Sequence, residues 1–186
     1  MKQELVLKYL KISSIGFIIV SLLEFIDIIL LSTAIRMYIS GSYLTLIDIL
    51  FTTGVLPIES TFLWVFLMIF PCIFIGLGFI LFRIAQKEKF KSNLLSKFIL
   101  LIGLLFILGS FIKIVYMIFL GNTKLNLSGS IEFQQALYNP LITPFIGAVM
   151  WIYLYSTVLV YLTCGLIFGG VGLKWILLIE EEKYKS

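Results

Sequence analysis

Four long apolar blocks alternate with short polar stretches along the chain, at about residues 12–35, 61–82, 98–120 and 145–173. Each reaches the roughly 20 apolar residues that an α-helix needs to cross the hydrocarbon core of a bilayer. The pattern predicts an all-α integral membrane protein, with four transmembrane helices in a bundle and residues 1–186 forming a single transmembrane domain. The fourth block is the longest and is rich in glycine, so it is expected to tilt, kink or run past the membrane.

The two connections on one side of this pattern are unusually apolar. In residues 42–54, Leu44, Ile47, Leu50 and Phe51 recur at helical spacing, which predicts a short interfacial helix. Residues 130–138 predict a second one. Both connections re-enter the membrane through proline, Pro57 in one and Pro140 and Pro144 in the other. Proline suits the first turn of a helix, where its missing N–H leaves no bond unmade.

Overlaying the halves reveals a weak internal repeat. Lys11 and Lys97 lie 86 positions apart, Gly16 and Gly103, Pro57 and Pro144, and Trp64 and Trp151 lie 87 apart, and Ser40-Gly41-Ser42 answers Ser128-Gly129-Ser130 at 88. This predicts two tandem helix-hairpin halves, residues 11–84 and 97–175. Each is a helix, an outer loop with an interfacial segment and a returning helix, and both share one orientation.

Composition agrees with the pattern. Hydrophobic residues make up 61% of the chain, against roughly 45–50% in soluble domains, and no polar stretch is long enough for a separate soluble core. The net charge of +4 comes from cations flanking the blocks, which argues against nucleic-acid binding. Lys2, Lys8, Lys11, Arg83, Lys87, Lys89, Lys91, Lys97, Lys174, Lys183 and Lys185 fall on one side, against Arg36 and Lys124 on the other. By the positive-inside rule both termini are cytoplasmic. The basic start resembles a secretory signal, but its apolar stretch exceeds about 15 residues and holds two carboxylates, so a retained first helix is expected.

Histidine is absent, which excludes His-ligated haem, HExxH zinc chemistry and His proton relays within this chain. Cys72 and Cys164 lie in different blocks without a CxxC motif and read as packing residues. No nucleophile–base set, paired GxGD-type aspartates or phosphate-cradling loop occurs. Neither enzymatic activity nor a cofactor is therefore expected.

The candidate chemistry is a cluster of buried charges: Glu24 and Asp27 in the first block and Lys113 in the third. A charge at membrane depth is costly unless paired or hydrated. Asp27 lies 16 residues beyond Lys11 and Lys113 lies 16 beyond Lys97, so both stand about 24 Å above their anchors. An Asp27–Lys113 ion pair is expected, with Glu24 in support. It would set helix register, line an ion or proton path, or be met by partners outside the chain.

Gly76 and Gly78 in the second block and Gly165, Gly169, Gly170 and Gly172 in the fourth are candidate close-packing positions, within the chain or against another subunit. Trp64, Trp151, Tyr153 and Tyr155 are expected in an aromatic belt. Asn126 opens an Asn-Leu-Ser glycosylation sequon. Glu180 to Glu182 read as a solvated helix end. The abundance of Ile, Leu, Phe and Lys suits an AT-rich prokaryotic gene.

Together these features point to a non-catalytic integral membrane subunit of the cell membrane, packed within a larger membrane protein complex. Its partners would be the lipid bilayer and other integral membrane subunits or further copies of itself. The alternative is a small oligomeric ion- or proton-linked transporter or channel using Glu24, Asp27 and Lys113.

Overall fold

The computed structural model describes residues 3–39, 41–51, 56–86, 93–125 and 131–185. Four long helices, α1 (Gln3–Thr33), α3 (Ile58–Ala85), α4 (Asn93–Gly121) and α6 (Phe145–Lys185), contain segments long and apolar enough to cross a membrane. The chain is thus a multi-pass membrane protein. In α3 and α4 the helices reach a few residues beyond the apolar blocks. The 41 residues of α6 rise about 60 Å, twice the hydrocarbon thickness, so this helix does run past the membrane. Its Glu180 and Glu181 are exposed.

Around the bundle, α1 packs on α3, α3 on α4, α4 most extensively on α6, and α6 on α1. The first and third spans therefore face each other diagonally. Each helix buries one stripe, such as Leu10, Ser14, Phe17, Ser21, Glu24, Ile28 and Leu31 on α1, at the three- and four-residue spacing of a helix face. The other faces carry large exposed apolar side chains, among them Leu22, Ile69, Phe111 and Leu159, as suits contact with lipid.

The end opposite the termini departs from expectation in one loop. In place of a single helix over 42–54, a β-hairpin of β1 (Arg36–Ile39) and β2 (Ser42–Thr45) precedes a six-residue α2 (Leu46–Phe51); residues 52–54 lie outside the described residues. Gly41 supplies the hairpin turn at φ 83°, a conformation that favours glycine. At the start of α2, Asp48 N–H donates to Thr45 Oγ1 at 3.2 Å, and Thr45 N–H donates to the Asp48 carboxylate at 3.0 Å. This reciprocal cap ends the strand and starts the helix. The Thr45 hydroxyl bond, ahead of the backbone bond and nearby Arg36, holds the Asp48 carboxyl below its ordinary value. The cap therefore contributes its full stability above about pH 4 and loses it as pH falls through the lowered value.

The second loop follows the same plan. Lys124 and Glu132 form an isolated bridge, a Glu132/Gln135 capping box follows, and α5 (Phe133–Tyr138) answers α2 at a separation of 87. Burial repeats as well. Trp64, Leu67, Phe74, Gly78 and Leu81 on α3 correspond, 87 positions on, to buried Trp151, Leu154, Tyr161, Gly165 and Phe168 on α6. On α1 and α4 the matching separation is 89, pairing Phe17 with Phe106, Ser21 with Ser110 and Glu24 with Lys113. At that separation Lys97 falls on Lys8 rather than Lys11, and Gly103 on Ser14 rather than Gly16. In apolar sequence several registers look alike, and only the buried row distinguishes them. Asn126 and the Ser128-Gly129-Ser130 triplet lie outside the described residues, as does Ser40.

Glycine sets the tightest seam. A Cβ on Gly103 would strike the Gly169 backbone, one on Gly165 would meet Ile107 Cγ1 at 2.8 Å, and one on Gly172 would meet Leu100 N at 2.5 Å. Gly78 fits against Phe17 and Ile18, whereas a Cβ on Gly76 or Gly170 would have no neighbour within 4 Å. Cys72 is exposed and Cys164 half-buried. Replacing Gly103 with Leu should destabilise the bundle by about 1–3 kcal/mol through overpacking, and Gly76→Ala should change it by less than about 0.5 kcal/mol. Unfolding titrations with SDS from a mild detergent would measure both.

Candidate functional site

Lys113 and Glu24 are both fully buried, and the ammonium Nζ donates to Glu24 Oε1 at 2.5 Å. Nζ also donates to Thr157 Oγ1 at 2.5 Å and lies 5.0 Å from the centre of the Tyr161 ring. Two acceptors and a π face thus surround the cation. The second Glu24 oxygen accepts a hydrogen bond from the Tyr161 hydroxyl, which lies 3.3 Å from Ser21 Oγ. Three helices meet here: α1 brings Ser21 and Glu24, α4 brings Lys113, and α6 brings Thr157 and Tyr161 one turn apart. From the loop-side ends of α1 and α4, Glu24 and Lys113 lie about 12–14 Å inside the bundle.

This polar layer divides two apolar cores. Toward the loops lie Ile28, Leu31, Trp64, Leu67, Met117, Trp151 and Leu154. Toward the termini, Phe17, Phe74, Phe106, Tyr161 and Phe168 form an aromatic floor with ring centroids 4.1–6.0 Å apart. Above and below the ion pair the axis is thus filled with side chains.

The expected Asp27–Lys113 pair is replaced by Glu24–Lys113. Three residues along a helix turn through 300°, so Asp27 sits about 60° off the Glu24 row. Only one row of α1 faces the axis, and Glu24 holds it with Phe17, Ser21, Ile28 and Leu31. Asp27 instead lines a shallow groove of about 310 Å³ with Leu23, Ile26 and Leu30 of α1 and Tyr153 of α6. Its Oδ2 is buried and accepts no hydrogen bond.

Trp64 and Trp151 are not belt residues either, with exposures of 1% and 0%. Trp64 Nε1–H donates to Ser32 Oγ at 3.0 Å, linking α3 to α1. Trp151 stacks edge-on against Phe133 and Tyr155. Their position near the loop-end helix termini suggested a belt, but the loop elements α2 and α5 cover them. Sequence reasoning missed Ser21, Thr157 and Tyr161. The available signal was the four-residue spacing of Thr157 and Tyr161 beside the apolar run of α6, which reads equally as ordinary helix polarity.

Among the described residues no three His, Cys, Asp or Glu side chains come together as a metal-binding group. No protein-family model, curated protein or solved structure matches the chain.

Removing one member of a buried pair strands the other. Glu24→Gln or Lys113→Leu should each cost about 3–5 kcal/mol, and the Glu24→Lys/Lys113→Glu double variant should recover part of the loss. Asp27→Asn should leave the stability of the isolated chain within about 0.5 kcal/mol, since Oδ2 makes no hydrogen bond to lose. SDS unfolding of the four variants would check the order.

Proposed function

We propose that this chain is a non-catalytic integral membrane subunit of the cell membrane that packs within, and stabilises, a larger membrane protein complex. The observation that carries this reading is Asp27, whose Oδ2 is buried against apolar side chains without a hydrogen-bond donor. An intramembrane carboxylate calls for a counter-charge and a donor; the charge of Lys113 reaches Asp27, but its hydrogen bonds go to Glu24 and Thr157. A neighbouring membrane subunit would supply what Asp27 lacks. The extended apolar exteriors of all four helices offer it a surface.

Two further features complete the proposal. The excess of Lys and Arg beside the termini and the middle connection supports cytoplasmic termini. That orientation places the β-hairpin, α2 and α5 at the outer interface, where Tyr43, Phe51 and Leu141 are exposed. The matched caps and buried rows support two tandem helix-hairpin halves, with Glu24 and Lys113 at equivalent positions.

The alternative, an oligomeric ion- or proton-linked transporter, has less support. Its three charges would have to line a path, yet Glu24 and Lys113 neutralise each other between two filled cores. Conduction would require a route outside this bundle, between protomers.

Gentle solubilisation of native membranes followed by native mass measurement tests the proposal. Recovery with unrelated membrane subunits at fixed stoichiometry is expected. A lone monomer, or a homo-oligomer that passes ions in liposomes, overturns it.

A further inference from the structure

We propose that the α1–α6 groove is a docking site for a transmembrane helix of a different protein, whose Lys or Arg side chain pairs with Asp27. This names the partner chemistry of the membrane-subunit reading and rests on it. The groove places one acidic group among Leu23, Ile26 and Leu30 of α1, with Tyr153 of α6 beside it. Leu23, Ile26 and Leu30 are exposed, and Asp27 between them is half-buried, with its Oδ2 enclosed and without a hydrogen bond. From the end of α1 at Thr33, Asp27 lies about 9 Å inside the membrane span.

The equivalent surface on the other half acts as an internal control. The burial match places Tyr116 of α4 where Asp27 stands and Phe66 of α3 where Tyr153 stands. There aromatic rings meet: Tyr116 packs against Phe66 and Phe70, with centroids 5.8 and 5.9 Å apart. On the Asp27 side a carboxylate takes the place of the tyrosine ring, and Tyr153 stands where Phe66 does.

Charge complementarity identifies the occupant. A carboxylate within an apolar groove selects a cation. Among the described residues, Lys8, Lys11, Arg83, Lys97 and Lys174 lie near the termini end, and Arg36 and Lys124 lie at the loop end. Lys113 is buried on the axis. A second copy in the same orientation thus presents no lipid-facing cation at the depth of Asp27, and a different chain with an intramembrane Lys or Arg does.

The test uses the full chain in zwitterionic phosphatidylcholine vesicles, with energy transfer to synthetic polyleucine helices. One helix carries a single Lys six residues from one end, and the other carries Leu there. The Lys helix should bind about tenfold more tightly than the Leu helix. Asp27→Asn should abolish that preference, and Asp27→Lys should reverse it toward a helix bearing Asp. Circular dichroism and SDS unfolding would verify that each variant is folded; Asp27→Leu serves if the Lys variant is not. Equal binding of the Lys and Leu helices, or a preference that survives Asp27→Asn, overturns the site. Asp27-dependent self-association without peptide assigns the groove to a second copy and overturns the named occupant. Stoichiometric subunits that still co-purify with Asp27→Asn would sink the site while leaving the subunit reading standing. A Lys preference in vesicles without any co-purifying subunit would do the reverse.

Discussion

The ion pair between Lys113 and Glu24 constrains the rest of the bundle. A fully buried ammonium at membrane depth is tolerable only where its donors meet acceptors, and those acceptors stand on two other helices. Meeting them fixes the rotation of α4 about its own axis and draws α1 and α6 toward it. Tyr161 ties the two partners together, bonding Glu24 with its hydroxyl and offering its ring to Lys113. The fourth helix, α3, contributes no charge; Phe74 supports Tyr161 from below at 4.1 Å. Rotation of α1 or α4 would expose a charge to lipid and strand its partner.

The rest of the packing divides around this layer. Toward the termini the core is aromatic, and edge-on rings fill the axis. Toward the loops it is mainly aliphatic with two tryptophans, and the hairpin and short helices cover that end. The closest approach is between α4 and α6, where glycines bring backbone onto backbone. In lipid, where apolar surfaces gain little by meeting each other, such close contact and polar bonds drive association. The α1–α3 contact relies more on side chains, together with the Trp64–Ser32 hydrogen bond. Separated, the hairpins would strand Glu24 in the first and Lys113 in the second, so the two halves depend on each other.

This economy of charge also shapes the functional reading. The interior ion pair lies between two packed apolar cores. The buried polar atoms without a hydrogen-bond partner include Asp27 Oδ2, Thr143 Oγ1 and Trp151 Nε1, and of these three groups Asp27 alone is acidic. The difference between the two faces is local: a tyrosine packed on phenylalanines on one side, and an acid beside a tyrosine on the other. A surface treated so differently in otherwise corresponding places is the strongest lead to what the protein meets.

The sequence by itself determined the four spans, because twenty-residue apolar runs have one stable solution in a bilayer: a helix that satisfies its own backbone. It also identified Glu24, Asp27 and Lys113 as residues needing explanation, since a charge deep in an apolar span is costly unless it finds a partner or water. Tertiary structure decided which carboxylate answers Lys113. Glu24 and Asp27 differ by a turn of about 60° on one helix, and only the diagonal placement of α1 and α4 tells which row faces the axis. The same dependence on neighbours hid Thr157 and Tyr161, buried Trp64 and Trp151 beneath the loop elements, and turned residues 42–45 into a strand. Depth can be read along a chain; direction around a helix acquires meaning only when another helix stands beside it.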